Sequence, residues 1–244
     1  MEDKFGVVFD FDGTLTLKEK SIFRAIEEDE AALPKEGRDA QIELRDHYLP
    51  IANIGKMTKE DDELWLKLSV GNLIKYGLTR QGASQALKQV RLRQGVFECL
   101  EMLKAASVPV AVISYGVATL IELFLEENGL VVPGHIQKVY GAVLTCCPDT
   151  GKYLDYNPKS LVYQATKGTC SRHFAGLNGI PFKNIFAVGD SGGDKNLGYR
   201  KKNRLAIAKN DAQACHLRPL MGEVVITESF YPVTQWLKSK LKLV

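Results

Sequence analysis

Two carboxylates stand two positions apart at the end of a short apolar run near the start of the chain. The run from Phe5 to Phe11 predicts a buried parallel strand, and Asp10 and Asp12 fall at its carboxyl end. A strand's period of two would place both side chains on one face. Because two carboxylates this close repel each other, the pair predicts a shared proton or a bound cation. One aspartate could attack an electrophile, as in aspartyl-phosphate formation, while the other donates a proton to the leaving group.

The two residues that follow this pair suit an anionic ligand. Gly13 leaves the backbone free to approach a phosphate, and the Thr14 hydroxyl adds a hydrogen-bond donor. A second pair of carboxylates, Asp190 and Asp194, comes directly after a predicted strand over residues 184–188. Hard oxygen ligands that leave positions open for water and phosphate are typical of Mg²⁺ sites. The two pairs together therefore predict magnesium as the cofactor.

Further polar residues are candidates for holding a phosphate. Ser114 ends a predicted buried strand over residues 108–114, and Tyr115 and Gly116 follow it. The serine hydroxyl and the backbone N–H groups there could bind phosphate oxygens. Lys167 lies on or near a predicted helix, and its ammonium group could neutralise the carboxylates and the phosphate together.

These residues require elements that bring distant stretches of chain to one place. After Gly95 the apolar pattern alternates between strands and helices. The predicted strands cover residues 108–114, 137–144, 184–188, 204–208 and 224–227, and the predicted helices cover 96–105, 119–128, 158–177 and 231–243. Such alternation predicts an α/β fold with a doubly wound parallel sheet and right-handed crossovers. Ligands bind at the carboxyl ends of the strands in such sheets, which is where the candidate residues lie.

A helical stretch interrupts this pattern after the first strand. From about Lys18 to Val90, apolar residues recur at helical spacing among charged ones. Thr58 and Asp61 have the spacing of a capping box at the start of the third helix of this stretch. The predicted domains are a core and an inserted helical domain, which comprise residues 1–16 with 95–244 and residues 17–94.

The composition excludes several classes of function. The chain has 244 residues and a formal net charge of +3, and its basic residues form no dense block, so nucleic acid is not an expected partner. Five cysteines without a C-x-x-C pair predict neither a disulfide framework nor a zinc site. The charged N-terminus is unlike a secretory signal, and no apolar run of about 18 residues could span a bilayer. We therefore expect a cytoplasmic protein that acts on a small molecule without membrane association, and the oligomeric state stays open.

These groups of residues, in this order along the chain, resemble the four motifs of the haloacid dehalogenase (HAD) superfamily of phosphatases. The matching positions, from the first motif to the fourth, are Asp10-Phe11-Asp12-Gly13-Thr14, Ser114, Lys167, and Gly189-Asp190 with Asp194. Lys159 is the alternative for the third motif, and the spacing favours Lys167. The resemblance implies a Rossmann-like core, and the helical stretch is similar to the C1-type cap of that superfamily.

The resemblance implies catalytic and metal-binding roles for the four aspartates. Asp10 would attack phosphorus, and Asp12 would protonate the leaving alcohol and then activate water on the aspartyl-phosphate. Mg²⁺ would be held by the Asp10 carboxylate, the Asp12 backbone carbonyl and Asp190, and Asp194 would support the ion through water. This arrangement agrees with phosphoryl transfer, in which catalysis is mostly positioning and charge neutralisation.

The resemblance also implies which residues bind the phosphate. Ser114 and Lys167 would hold the phosphoryl oxygens. The other members of the expected phosphate-binding set are Thr14, Tyr115 and Gly116.

Two groups within the superfamily share further residues with this chain. The core, including Arg93-Gln94-Gly95-Val96, resembles phosphoserine phosphatases, and the stretch Leu44 to Ile51 is similar to a segment of cytosolic pyrimidine 5′-nucleotidases. In the second case a base could stack on an aromatic side chain of the cap, for which the candidates are Phe23, Tyr48 and Trp65. The expected function is hydrolysis of a small phosphomonoester. The alternatives are a nucleoside 5′-monophosphate nucleotidase, a phosphotransferase that uses the same aspartyl-phosphate, and a non-catalytic binding protein that keeps the fold.

Overall fold

The computed structural model describes residues 4–53 and 56–243, and a seven-stranded sheet forms the centre of that part of the chain. Its strands are β1 (Gly6–Phe9), β2 (Val110–Val117), β3 (Lys138–Cys146), β4 (Tyr153–Asn157), β5 (Ile185–Gly189), β6 (Arg204–Ala208) and β7 (Glu223–Ile226). They lie in the order β4-β3-β2-β1-β5-β6-β7.

All neighbouring strands are parallel except β3 and β4, which are antiparallel and joined by a hairpin. The central strand β1 pairs on both sides, with Phe9 opposite Val112 of β2 and Val188 of β5. Because parallel strands end at the same edge of a sheet, the residues that follow β1, β2 and β5 come together. The predicted α/β fold with a parallel sheet is confirmed.

Helices lie between many of these strands, and one follows the last strand. In the described residues they are α1 (Ile22–Glu28), α2 (Lys35–Asn53), α3 (Lys59–Lys75), α4 (Arg80–Leu87), α5 (Val96–Ala105), α6 (Ala118–Glu127), α7 (Lys167–Leu177), α8 (Asp211–Leu217) and α9 (Tyr231–Leu241). The first four occupy the stretch between β1 and α5, and together they form the helical cap.

Both faces of the sheet are covered, because successive strand residues point to opposite sides. On one face, Val7 and Val112 join a core that includes α5, α6 and α9. On the other face, Val8 and Ile113 pack with Phe174 of α7. Burial of an aliphatic side chain of this size stabilises the fold by about 1.5–3 kcal/mol. A sheet that is covered on both faces requires the nearly continuous apolar strands seen in the sequence.

Side-chain caps fix where the cap helices begin. Thr58 and Asp61 form the predicted capping box at the start of α3, and the Thr79 hydroxyl caps α4. A Cβ at Gly82 would lie 2.4 Å from the Ala31 carbonyl oxygen, so α4 needs a glycine to pack against the turn after α1.

The two ends of the inserted stretch run side by side. Thr16 and Leu92 form an antiparallel bridge, and the Arg93 N–H bonds to the Leu15 carbonyl at 2.9 Å. The cap is therefore attached to the core by a paired two-stranded connection. The domain boundaries after residues 16 and 94 stay a prediction.

The first strand is shorter than predicted. β1 ends at Phe9 instead of Phe11, because the Phe11 carbonyl accepts hydrogen bonds from the N–H groups of residues 14–16 and the chain turns there. This turn, and not the period of a strand, sets the positions of Asp10 and Asp12.

Two other predicted elements differ from the structure by three residues or more at one end. β2 continues past Ser114 to Val117 by pairing with β3 after a shift in register. The helix predicted over residues 158–177 begins only at Lys167, because the chain before it forms two short 3-10 turns, Pro158–Ser160 and Gln164–Thr166. The second turn ends at Thr166, so Lys167 is the first residue of α7.

No helix in the described part of the chain is both long and apolar enough to cross a membrane. All five cysteines fall in that part and are unpaired.

Candidate active site

Asp10 lies directly after β1 and is almost fully buried. Its N–H bonds to the Val188 carbonyl of β5 at 2.9 Å, which fixes the backbone against the neighbouring strand. One carboxylate oxygen lies 2.6 Å from Lys167 Nζ, and the other lies 3.5 Å from the Thr14 hydroxyl. Burial raises the pKa of Asp10 well above its ordinary value, an effect that Lys167 opposes. This carboxylate therefore depends on nearby cations to remain ionised.

Lys167 bridges two aspartates at the start of α7. Its Nζ lies 2.6 Å from Asp10 Oδ1 and 2.7 Å from Asp194 Oδ1, and its side chain is 5% exposed. Burial acts to lower the pKa of Lys167, but the two carboxylates outweigh it and raise the pKa above its ordinary value. The structure thus brings Lys167 to the carboxylates, whereas Lys159 is exposed in the first of the two short turns before α7.

Asp194 organises the loop after β5. Its Oδ2 accepts hydrogen bonds from the N–H groups of Asp190 at 3.1 Å and Ser191 at 2.9 Å, and from the Ser191 hydroxyl at 2.7 Å. A Cβ on Gly189 would lie 2.3 Å from the Cβ of Asp194, so this close approach requires glycine. Because both oxygens of Asp194 already accept hydrogen bonds, this residue is better placed to orient its neighbours than to bind an ion directly.

The carboxylates form a cluster that suits a divalent cation. Asp10, Asp190 and Asp194 are all buried, and each offers one oxygen within 4.8 Å of the other two. Ligands on opposite sides of one Mg²⁺ lie about 4 Å apart, since each oxygen is about 2.0–2.1 Å from the ion. Small side-chain adjustments would therefore bring the oxygens of Asp10 and Asp190 to a shared ion, with Asp194 close beside it. The Asp12 carboxylate is not part of this group, and the role of the Asp12 backbone carbonyl as a ligand stays a prediction.

A glycine lets the turn after β1 approach Asp190. Gly13 has a φ of +78°, and a Cβ there would lie 2.5 Å from Asp190 Oδ2. From the other side, the buried Arg93 guanidinium donates to the carbonyls of Gly13 at 2.8 Å and Thr14 at 3.1 Å. The same guanidinium also donates to the carbonyls of residues 227 and 228. Arg93 thereby holds the turn in place from the end of the inserted stretch.

Asp12 is tied to the cap. Its Oδ1 accepts a hydrogen bond of 3.0 Å from the Ile22 N–H at the start of α1. Burial raises the pKa of Asp12 to about 7, although the Ile22 hydrogen bond acts to lower it. A carboxyl that titrates near neutral pH can both donate and accept a proton. The pKa of Asp12 therefore suits the acid and base role implied by the sequence.

The side chains of Ser114 and Asp12 both lie close to Gly116. Ser114 is buried, and its Oγ accepts a hydrogen bond of 2.9 Å from the Gly116 N–H. A Cβ on Gly116 would lie 3.2 Å from Ser114 Oγ and 3.8 Å from Asp12 Oδ2. The structure thus brings the carboxyl-terminal end of β2 to the residues after β1, as predicted from the sheet.

Two further side chains of the expected phosphate-binding set have protein partners in this structure, and their role in phosphate binding stays a prediction. The Thr14 hydroxyl contacts Asp10, and the Tyr115 hydroxyl donates to the Asp62 carbonyl of α3 at 2.7 Å. Tyr115 therefore joins the core to the cap.

Three residues at the site were not among the predicted site residues. Lys18 Nζ lies 2.6 Å from Asp190 Oδ2, although the Lys18 side chain is 43% exposed. Burial raises the pKa of Asp190, and Lys18 opposes this. The sequence signal for Lys18 was a basic residue close behind the first motif. The signals for Arg93 were its place before α5 and the resemblance of the stretch Arg93-Gln94-Gly95-Val96 to phosphoserine phosphatases. The residues around Asp62 in the sequence do not predict that it lies at the site, because its contacts depend on how α3 packs on the core.

Aromatic side chains of the cap approach Tyr115. Tyr48 and Trp65 stack with ring centroids 5.7 Å apart and an angle of 17° between the rings. Trp65 in turn lies 5.9 Å from the Tyr115 ring. Phe23, the remaining stacking candidate, is half-buried against the main core. Trp65 is thus the cap aromatic that the structure joins to the residues after Ser114.

The fold and the site define a class of protein: an α/β enzyme with a carboxylate-rich site at the ends of its central strands and a helical cap beside it. A family model described as haloacid dehalogenase-like hydrolase matches residues 7–198. The chain belongs to this family, and the predicted family and the prediction of an enzyme are confirmed. No curated protein matches the chain in sequence.

Solved structures share this fold. Cytosolic 5′-nucleotidase IIIB bound to cytidine has a TM-score of 0.75 and 18% identity, over 98% of this chain and 86% of its own. A phospho-aspartyl intermediate analogue of phosphoserine phosphatase has a TM-score of 0.68 and 21% identity, over 96% of this chain and 99% of its own. A substrate-bound phosphoserine phosphatase has a TM-score of 0.67 and 22% identity, over 97% of this chain and 99% of its own. At these identities the likeness establishes the fold, including the cap.

Proposed function

We propose that this protein is a magnesium-dependent phosphatase that hydrolyses a small phosphomonoester, in the manner of a phosphoserine phosphatase, through an aspartyl-phosphate on Asp10. The observation that carries the proposal is the buried Asp10 carboxylate, which accepts a hydrogen bond from Lys167. Close to it, Gly13 lets the turn after β1 approach Asp190. Membership in the hydrolase family and a fold shared with phosphoserine phosphatases support it.

The carboxylate cluster supports Mg²⁺ as the cofactor. Asp10, Asp190 and the Asp12 carbonyl would hold the ion, with Asp194 supporting it through water. Bound there, Mg²⁺ would neutralise negative charge on a phosphoryl group.

In the first step, an Asp10 oxygen forms a bond to phosphorus while the bond from phosphorus to the leaving oxygen breaks. Asp12 begins this step protonated and gives its proton to the leaving oxygen, so that the alcohol departs neutral. Lys167 and Ser114 bind phosphoryl oxygens, and the contact of Lys167 with Asp194 fixes the position of its ammonium group.

In the second step, water attacks the phosphorus and the bond from Asp10 to phosphorus breaks. Asp12 accepts a proton from this water, which restores the free carboxylate of Asp10 and the protonated Asp12 and releases phosphate. The pKa of about 7 lets Asp12 act as an acid in one step and as a base in the other.

A second candidate substrate class is a nucleoside 5′-monophosphate. The observation in its favour is the aromatic series Tyr48, Trp65 and Tyr115, which reaches from the cap to the residue after Ser114. A base could stack on a half-buried ring of this series. A panel of about a hundred phosphomonoesters, with phosphoserine, sugar phosphates and nucleoside monophosphates included, separates the two classes.

The mechanism is tested by Asp10→Asn. With Mg²⁺ and p-nitrophenyl phosphate, we expect the variant to lose at least about 10³-fold in kcat, because an amide is a poor nucleophile. Asp211→Asn, at an exposed aspartate in α8, is the matched control and should retain wild-type activity. Turnover by Asp10→Asn at the wild-type rate would exclude the aspartyl-phosphate. An added acceptor alcohol distinguishes hydrolysis from phosphoryl transfer, since transfer would yield a new phosphomonoester.

A further inference from the structure

Asp62 is a buried carboxylate that the proposed reaction does not use. It lies in the first turn of α3 and is 5% exposed. Its Oδ2 accepts a hydrogen bond of 3.1 Å from the Gln164 N–H, but its Oδ1 has no hydrogen-bond partner among the described residues. A buried carboxylate oxygen without a partner is strongly unfavourable. Asp62 Oδ1 can therefore accept a hydrogen bond from a group outside the described residues.

The neighbours of Asp62 place it where the cap meets the candidate active site. The Asp62 carbonyl accepts the Tyr115 hydroxyl, and Tyr115 directly follows Ser114. Gln164 lies three residues before Lys167, and a Cβ on Gly193 would lie 3.2 Å from its side-chain oxygen. Burial raises the pKa of Asp62, and the Gln164 N–H, the Tyr115 hydroxyl and the positive charge of Lys167 oppose this. Asp62 thus contacts the segments that carry Ser114 and Lys167, and it lies near the loop that carries Asp194.

Within the described part of the site, the cations have other partners. Lys167 binds Asp10 and Asp194, and Lys18 binds Asp190. These two lysines therefore do not donate a hydrogen bond to Asp62 Oδ1. The Tyr115 hydroxyl also lies beside the Asp62 carboxylate, but it donates its one hydrogen to the Asp62 carbonyl at 2.7 Å. The leaving group of a bound substrate can supply a further donor, since a cap that covers the site lies over the alcohol portion of a phosphomonoester.

We propose that Asp62 Oδ1 accepts a hydrogen bond from the leaving group, so that the enzyme selects phosphomonoesters whose alcohol carries a hydroxyl or amino donor. This inference rests on the proposed phosphatase function and names its substrate class. A site built around a buried acceptor rejects an analogue that lacks the donor, because the acceptor is then left unpaired.

Three esters with the same two-carbon chain test the selection: ethyl phosphate, 2-hydroxyethyl phosphate and 2-aminoethyl phosphate. The first has no donor, the second has a neutral donor and the third has a cationic one. For the wild-type enzyme with Mg²⁺, we expect kcat/KM for at least one donor-bearing ester to exceed that for ethyl phosphate by about tenfold or more. The relative rates of the last two identify the donor as a hydroxyl or an ammonium group.

Asp62→Asn assigns the selection to this residue. Its amide oxygen can still accept from the Gln164 N–H, while its NH₂ group replaces the unpaired oxygen and cannot accept a hydrogen bond. We expect the variant to lose the preference, so that its kcat/KM for the donor-bearing esters falls about tenfold relative to its kcat/KM for ethyl phosphate. Glu60→Gln, at an exposed carboxylate in the same turn of α3, should keep the preference.

Binding measurements separate this inference from the proposed function. Calorimetry with Mg²⁺ measures the affinity of each ester for Asp10→Asn and for the double variant Asp10→Asn/Asp62→Asn. We expect Asp10→Asn to bind a donor-bearing ester about tenfold more tightly than ethyl phosphate, and the double variant to show no such preference. Absence of turnover for all esters by the wild type would end the proposed function, and binding would still decide the role of Asp62. An equal loss for all three esters in Asp62→Asn, or a wild type that shows no preference, would overturn the inference.

Discussion

The candidate site holds more negative charge than its lysines neutralise. Three carboxylate oxygens, from Asp10, Asp190 and Asp194, lie within 4.8 Å of one another. Lys167 contacts two of these aspartates from inside the protein, and Lys18 contacts the third from a largely exposed position. Because a buried carboxylate without a cation is unfavourable, the ionised state of these residues depends on Lys167 and on any bound metal ion.

Lys167→Met tests this balance. We expect the variant without Mg²⁺ to lose about 3–5 kcal/mol in free energy of unfolding, because it leaves buried charge without its partner. We also expect kcat/KM to fall by about 10²–10³-fold. Urea unfolding and hydrolysis of p-nitrophenyl phosphate measure the two effects. Lys159→Met, at the exposed lysine in the turn before α7, is the control and should change neither. Equal behaviour of the two variants would contradict the assignment of Lys167.

At the scale of helices and strands, local sequence pattern predicted some elements to the residue. The predicted bounds of α5 and β6 agree with the structure, because Gly95 with a φ of +94° starts the helix and a short apolar run defines the strand. The helix predicted over residues 158–177 was wrong in its first half. There the Thr166 hydroxyl accepts the Tyr163 N–H and stabilises a 3-10 turn, a side-chain effect that apolar periodicity does not register.

The packing of α1 on α2 gives a pH prediction. Glu27 of α1 is buried and paired with Arg45 of α2. Burial raises the pKa of Glu27 above its ordinary 4.5, although Arg45 opposes this. The folded state therefore binds more protons than the unfolded state between pH 4.5 and the raised value, so the Glu27 contribution to the free energy of unfolding falls as pH rises through that range.

Glu27→Gln should remove this contribution, because an amide does not titrate. We expect the difference in free energy of unfolding between the variant and the wild type to change with pH above 4.5 and to be constant below it. Urea titrations at several pH values measure it. Glu43→Gln, at an exposed glutamate of α2, should show no such trend, and a flat difference for Glu27→Gln would contradict the pKa direction.

At the scale of the whole molecule, the topology brings together residues that are far apart in sequence. β1 pairs with both β2 and β5, so the residues that follow these strands meet at one edge of the sheet. This meeting could be predicted for Asp10, Ser114 and Asp190, because each follows an apolar strand. The strand order and the contacts of Asp62 could not be predicted, because both depend on packing between distant elements.

Binding of Mg²⁺ should stabilise the folded chain as a whole. We expect saturating Mg²⁺ to raise the melting temperature by about 3–8 °C, because an ion that binds only the folded state adds about 1.4–2.7 kcal/mol at 10–100 times its Kd. Chelation should reverse the shift and abolish hydrolysis. Asp190→Asn should show little of this shift, and Asp211→Asn should show all of it. A full shift in Asp190→Asn would exclude that residue as a ligand.

The hydrogen bond from the Ile22 N–H to Asp12 has a consequence for the timing of proton transfer. It comes from the first residue of the first cap helix, and it stabilises the ionised form of the carboxyl. A cap that swung outward would withdraw this N–H and leave Asp12 holding its proton more firmly, ready for the next substrate. A cap that closed would restore the N–H and make the same proton easier to release. If the cap opens and closes during turnover, its position would then set how firmly Asp12 holds its proton.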